Sequence, residues 1–133
     1  MTLKIVLMSE QVTRLARFAN EALPNESCAL LVGSSSESTV TEILLMKNVD
    51  ISPYSFSIEP SELLDAYDKA EKKGLDVIGI FHSHPGKPSP STTDLKYMEI
   101  NPVIWLIYST TEDRFGAYLS ERSVIKCDVI ITD

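Results

Sequence analysis

The sequence predicts an α/β domain built on one sheet of mixed strand direction and flanked by helices. Three observations lead there. Helical and strand patterns alternate along the first two thirds of the chain, after which strand follows strand. Residues 27–33 (SCALLVG) and 76–84 (DVIGIFHSH) are nearly unbroken apolar runs bounded by turn formers, which marks strands buried on both faces. The 133 residues, 44% apolar and 23% charged, suffice for one domain, residues 1–133, with a core of its own.

Taken in order, residues 4–8 are a short apolar segment. Ser9 is then placed as the N-cap of a helix whose Val12, Leu15, Ala16, Ala19 and Leu23 recur at helical spacing until Pro24 stops it. Residues 39–46 are the expected hairpin partner of 27–33, across a Ser-rich tip. Residues 47–59 (KNVDISPYSFSIE) mix turn formers with a few strand formers and are expected as an irregular loop with room for a short strand. Pro60 suits the first position of a second helix running to 73, with Leu63, Leu64, Tyr67 and Ala70 on its apolar face and Gly74 past its end. The strand 76–84 follows, then the loop PGKPSP, then a short helix near 92–99. The remainder reads as a meander of strands at 103–108, 114–119 and 124–131, with a turn at 110–113.

Composition removes several classes of function. Lys and Arg number 12 against 19 Asp and Glu, a net charge of −7, so the clustered positive surface that releases counterions from nucleic acid is missing. No apolar run approaches the ~20 residues that span a bilayer, and residues 1–8 lack the pattern of a signal peptide. No nucleic-acid or membrane partner is expected, and the location expected is cytoplasmic. The two cysteines, Cys28 and Cys127, cannot build a disulfide framework or a four-thiolate zinc site. A single pairing between them stays open.

The chemistry concentrates in residues 81–94, FHSHPGKPSPSTTD. His82 and His84 stand two apart at the end of a strand, so both imidazoles project to one face while Ser83 points to the other. Asp94 follows a proline-rich loop that loses little entropy on ordering and is able to return a carboxylate to the same point. Two imidazoles, one carboxylate and a free fourth position describe a catalytic zinc site rather than a structural one. A zinc ion lowers the pKa of its water from ~15.7 toward ~7, and a carboxylate must then carry the proton. Glu26, at the mouth of the buried run 27–33, is the candidate for that base, and Ser91 for donating a hydrogen bond to the oxyanion. Plainer readings stand beside these. Ser91 and Asp94 have the spacing of a helix capping box, Glu26 also reads as a surface acid beside the helix end at Pro24, and a strand histidine is often a hydrogen-bonded core residue.

These residues resemble those of the JAMM, or MPN-plus, zinc metalloproteases: a distant Glu, then His-Ser/Thr-His-Pro, then Ser-x-x-Asp. Glu26, His82, Ser83, His84, Pro85, Ser91 and Asp94 fill every position. The likeness extends through ESCALLVG, Asn48, Pro53, Phe56 and Pro60 to VIWLIY at 103–108. It implies the JAB/MPN fold, a curved mixed β-sheet flanked by helices and similar to cytidine deaminase. It also implies one zinc per chain on His82, His84 and Asp94, Glu26 as general base, and Ser91 beside the oxyanion. The implied reaction is hydrolysis after the C-terminal Gly-Gly of a ubiquitin-like protein or its conjugates. The loop of residues 85–90 has six residues where the family usually has seven, and the second ubiquitin-binding insertion of the eukaryotic deubiquitinases is nearly absent. The chain thus resembles a minimal prokaryotic, archaeal-type member related to the proteasome-lid deubiquitinase, which raises a proteasome association.

The substrate tail is expected to pair by strand addition near residues 52–58, with Ser52, Pro53, Tyr54, Ser55 and Phe56 as its binding residues. Cys28 lies two residues from Glu26 on the same side of a strand and is a candidate redox modulator; its plainer reading is a small buried apolar residue. The competing functions are a catalytically silent scaffold of the same fold and a peptidase maturing a sulfur-carrier protein. A nucleobase deaminase is disfavoured because its His-x-Glu and Pro-Cys-x-x-Cys are missing. A cysteine protease built on Cys28 and His82 lacks an orienting partner.

Overall fold

In the computed structural model, which describes residues 3–133, the chain runs β1 (Lys4–Met8), α1 (Ser9–Ala22), β2 (Cys28–Ser34), β3 (Thr39–Met46), α2 (Pro60–Lys72) and β4 (Asp76–His84). It continues through α3 (Thr92–Ile100), β5 (Ile104–Ser109), β6 (Arg114–Ser120) and β7 (Val124–Thr132). The strands form one mixed sheet in the order β1-β3-β2-β4-β5-β6-β7. β2 is antiparallel to both β3 and β4, β4 is parallel to β5, and β5, β6 and β7 form the antiparallel meander. The curvature goes as far as closure: β1 runs parallel to β7 from Lys4↔Asp128 to Met8↔Thr132 and meets β3 through Val6↔Thr39.

The apolar runs are buried on both faces because each face feeds a different core. Ala29, Leu31 and Phe81 pack with Ile5, Leu7, Leu15 of α1, Leu106 and Ala117. Leu30, Val32 and Ile80 pack with Ala66 and Ala70 of α2, Met98 of α3 and Trp105. The parallel pair β4–β5 requires a crossover, which α3 provides. The loop entering α3 therefore starts at the carboxyl end of β4.

Four sequence expectations shift. The N-cap of α1 is Met8 rather than Ser9, and the Gln11 side chain accepts the Met8 N–H at 2.8 Å. Leu23, assigned to the apolar stripe of α1, lies beyond it and is 50% exposed, because the residue before a proline is driven out of the helical region. On α2 the inward face is Leu63, Ala66 and Ala70, while Leu64 is 71% and Tyr67 41% exposed. The two alanines let the helix approach the sheet closely, which the longer side chains would prevent. Residues 52–58 contain no strand, so the edge expected there for strand addition is not formed.

Candidate active site

His82 and His84 end β4 on the side that Ile80 faces, so both rings leave the sheet toward α3. His82 is fully buried, and its two ring nitrogens face opposite carboxylates: Nδ1 lies 3.3 Å from Glu26 Oε1 and Nε2 3.0 Å from Asp94 Oδ2. His84 is half-buried; its Nδ1 donates to the Pro85 carbonyl at 2.8 Å, and its Nε2 lies 3.6 Å from Asp94 Oδ2 and 3.1 Å from the Ser89 carbonyl. One ligand atom each from His82, His84 and Asp94 lies within 4.8 Å of the others.

The Asp94 carboxylate is aimed by the start of its own helix. Ser91 is the N-cap of α3, its Oγ accepts the Asp94 N–H at 3.1 Å, and its own N–H donates to Asp94 Oδ2 at 2.9 Å. The capping box and the aim of the carboxylate are thus one arrangement, because the oxygen fixed by the cap is the one that faces both histidines. The Ser91 hydroxyl hydrogen is left to donate elsewhere.

Glu26 is brought to His82 by the residues that follow each of them. Ser83 points to the opposite face, where its Oγ accepts the Ser27 N–H at 3.1 Å and lies 2.7 Å from Ser27 Oγ. The sequence carried the signal as Glu26-Ser27 and His82-Ser83, two pairs with the same face alternation. A second support went unread. Asn48 Nδ2 donates to the carbonyls of Glu26 and Ser55, both at 3.0 Å, and Asn48 Oδ1 accepts the N–H of Asp50 and of Ser57. The Glu26 N–H donates to Ser52 O at 2.8 Å, so the loop 47–59 is knotted onto Glu26.

Within that loop, Phe56 stacks on the His82 ring at 4.8 Å between centroids, and Trp105 meets the same ring edge-on at 5.8 Å. Phe56, Leu63, Ile80, Tyr97 and Trp105 line a cavity of about 130 Å³ beside the stack. Of the other loop residues singled out, Ser52, Pro53 and Ser55 are half-buried and Tyr54 is 84% exposed. Cys28 is fully buried, with burial first and the nearby Glu26 and Asp50 carboxylates second pushing its thiol up to about 12.

The electrostatics are those of a cation site. Burial pulls the His82 ring down, but the hydrogen bonds to Asp94 and Glu26 outweigh it and raise the group to about 9. Burial pushes the Asp94 carboxyl up, yet hydrogen bonds with His82 and His84 hold it well below the usual carboxylate range. The donor set also fits a metal. A tetrahedral ion with bonds of ~2.0–2.1 Å spaces its ligands by ~3.3 Å; the two histidine-to-Asp94 distances, 3.0 and 3.6 Å, bracket that spacing, and the widest separation in the cluster, 4.8 Å, would have to close by about 1.5 Å on a bound ion. His84 donates its other ring N–H to a carbonyl, the outer contact that orients a metal-ligating histidine.

Comparison with known proteins agrees with this arrangement. The family described as prokaryotic homologs of the JAB domain matches residues 8–119, a span that includes Glu26, both histidines, Ser91 and Asp94. The chain belongs to this family. Among its relatives, the JAB-domain chain is 40% identical over 101 residues to a desampylase of Pyrococcus furiosus, covering 75% of this chain and 71% of that one. It is 24% identical over 121 residues to the CysO-cysteine peptidase of Mycobacterium tuberculosis, covering 90% and 83%. A protein of Desulfitobacterium hafniense solved in solution superposes with a TM-score of 0.82 at 32% identity, covering 97% and 93%. The JAB fold and a His-His-Asp cluster compatible with a metal are therefore established together.

Proposed function

We propose that this JAB-domain chain is a zinc-dependent isopeptidase or peptidase that hydrolyses the bond following the C-terminal Gly-Gly of a ubiquitin-like modifier. The observation that carries the reading is the meeting of His82, His84 and Asp94 at one point, with Glu26 on the far nitrogen of His82. The 40% identity to a desampylase supports the substrate class.

His82 Nε2, His84 Nε2 and Asp94 Oδ2 would hold the ion. Zinc there supplies Lewis acidity toward the scissile carbonyl and toward water. Glu26 takes the proton of the attacking water on its carboxylate and returns it to the leaving amine. Ser91, whose Oγ is already committed as acceptor to the Asp94 N–H, donates its hydroxyl hydrogen to the developing oxyanion. Phe56 covers the His82 ring and excludes water from it, and the residues 52–56 lie along the approach of the tail. The apolar cavity beside Phe56 accepts one side chain of that tail. The two buried free thiols agree with a reducing cytoplasm.

The test measures zinc content and, on the same preparation, cleavage of a fluorogenic reporter joined to the Gly-Gly terminus of a ubiquitin-like protein. About one zinc per chain is expected, with cleavage abolished by a chelator and slowed ~10²–10⁴-fold by Glu26→Gln while zinc stays bound. Full activity of Glu26→Gln removes the general base from the mechanism. Bound zinc without cleavage of any Gly-Gly tail turns the reading to a silent scaffold. The similarity to a CysO-cysteine peptidase over 90% of the chain favours a second substrate, a sulfur-carrier protein with a small adduct on its tail. Rates on a lysine-linked conjugate and on such a tail adduct separate the two.

A further inference from the structure

The turn between β5 and β6 contains none of the residues that meet at the cluster, yet it grips the chain leading out of His84 at three backbone atoms. The Thr110 N–H donates to the His84 carbonyl at 3.1 Å, the Gly86 N–H donates to Thr111 Oγ1 at 2.8 Å, and Ser109 Oγ donates to the Gly86 carbonyl. Thr111 Oγ1 lies 3.4 Å from Ser109 Oγ, so the hydroxyls close a ring in one direction: Gly86 N–H to Thr111, Thr111 O–H to Ser109, Ser109 O–H to Gly86 C=O. Ser109 is fully buried and spends its other lone pair on the Glu112 N–H at 2.9 Å. The far end of the same loop rests on β6, where a Cβ at Gly116 would stand 2.2 Å from the Pro88 carbonyl oxygen.

The geometry matters because a peptide group is rigid. The Gly86 N–H held by Thr111 and the Pro85 C=O that accepts the His84 Nδ1–H at 2.8 Å belong to the same planar unit. Gripping one end of the plane sets the direction of the other. We propose that Thr111 is a positioning residue for His84, with Ser109 orienting its hydroxyl. Through the Pro85–Gly86 peptide it keeps the proton on Nδ1 and turns Nε2 toward Asp94, the state a metal ligand requires. The inference rests on the metal reading of the site and adds to it a residue two steps removed from the ion. The loop of six residues, 85–90, is thus held at both ends, by the Thr111 and Ser109 hydroxyls at Gly86 and by the packing of buried Pro88 on β6.

Thr111 is exposed, so a substitution there leaves the fold intact. The experiment titrates zinc against a chromophoric chelator for the wild-type chain, Thr111→Val, which keeps the shape and loses the hydroxyl, and Thr111→Ser, which keeps the hydroxyl. Thr111→Val is expected to bind zinc ~10-fold more weakly, and Thr111→Ser within about twofold of wild type. The thermal midpoints of the three metal-free chains should coincide, which a merely structural loop anchor would not produce alongside a tenfold loss. Equal zinc affinity in wild type and Thr111→Val, or an equal loss in Thr111→Ser, overturns the positioning role while leaving the metal site in place. A wild-type chain that binds no zinc overturns both.

Discussion

All four ring nitrogens of His82 and His84 face oxygen atoms: Glu26 and Asp94 around the first ring, Pro85, Ser89 and Asp94 around the second. Such surroundings favour positive charge, and without a metal they raise His82 to about 9 and His84 above its ordinary value, against the pull of burial in both. Protons and a divalent ion would therefore compete for the same ring nitrogens. Cys28 has the opposite surroundings. Among the described residues its Sγ has only the Met46 carbonyl at 3.9 Å as a partner, and burial pushes the thiol to about 12. At pH 8 the thiolate is then on the order of one part in ten thousand, and the thiolate is the reactive form. Cys28 should therefore behave as a small apolar core residue. The folded chain is expected to take up no thiol reagent over hours at pH 8, whereas in denaturant both Cys28 and Cys127 react. Rapid labelling of the native protein, read by mass spectrometry, would restore the redox role that its position two residues from Glu26 suggested.

Among the elements, the loop of residues 47–59 shows where sequence reading stops. Its turn formers gave the irregular path, but a strand edge at 52–58 was expected and a side-chain knot is found. One amide, Asn48, replaces strand pairing with four hydrogen bonds to Glu26, Ser55, Asp50 and Ser57. Local pattern cannot reveal that, because the partners are set by how the loop folds back on the mouth of β2. At a net ~0.5–1.5 kcal/mol for each of the four hydrogen bonds, Asn48→Ala should lose roughly 2–6 kcal/mol, read as a lower urea midpoint. Activity should suffer more than stability, since the Glu26 carbonyl loses its anchor and small displacements of a catalytic group cost up to ~10²-fold. Asn48→Asp keeps the two acceptor bonds and should lose about half as much. An unchanged midpoint in Asn48→Ala would show that the backbone alone holds the loop. Elsewhere the same limit appears in milder form. Periodicity placed α2 correctly but chose Leu63, Leu64, Tyr67 and Ala70 as its inward face where the structure has Leu63, Ala66 and Ala70, a choice made by how close the sheet allows the helix to come. The His-His-Asp cluster was legible because its determinants are local: a period of two in β4 and a capping box at α3 each fix their side chains within one element.

At the scale of the molecule, closure of the sheet joins pieces that are distant in the chain. β1 pairs with β7 over five residues, and the cluster draws Glu26 from the mouth of β2, the histidines from β4 and Asp94 from α3. Strand order and closure depend on these long-range pairings, which is why composition and periodicity yielded a mixed sheet but not its circuit. A metal ion held by His82 and His84 of β4 and by Asp94 of α3 would tie two of these elements together in the folded chain alone, and so stabilise the whole. With free zinc at ~1,000 times its Kd the gain is ~4 kcal/mol. At roughly 3–5 °C per kcal/mol for a domain of this size, the thermal midpoint should then rise by on the order of 10–20 °C and fall back when a chelator is added. Two variants separate binding from catalysis in the same melting experiment. His84→Ala removes a ligand and should abolish the shift, whereas Glu26→Gln removes only the base and should keep it. A shift that survives His84→Ala would place the ion elsewhere, and a shift lost in Glu26→Gln would make Glu26 part of the metal site rather than its proton carrier.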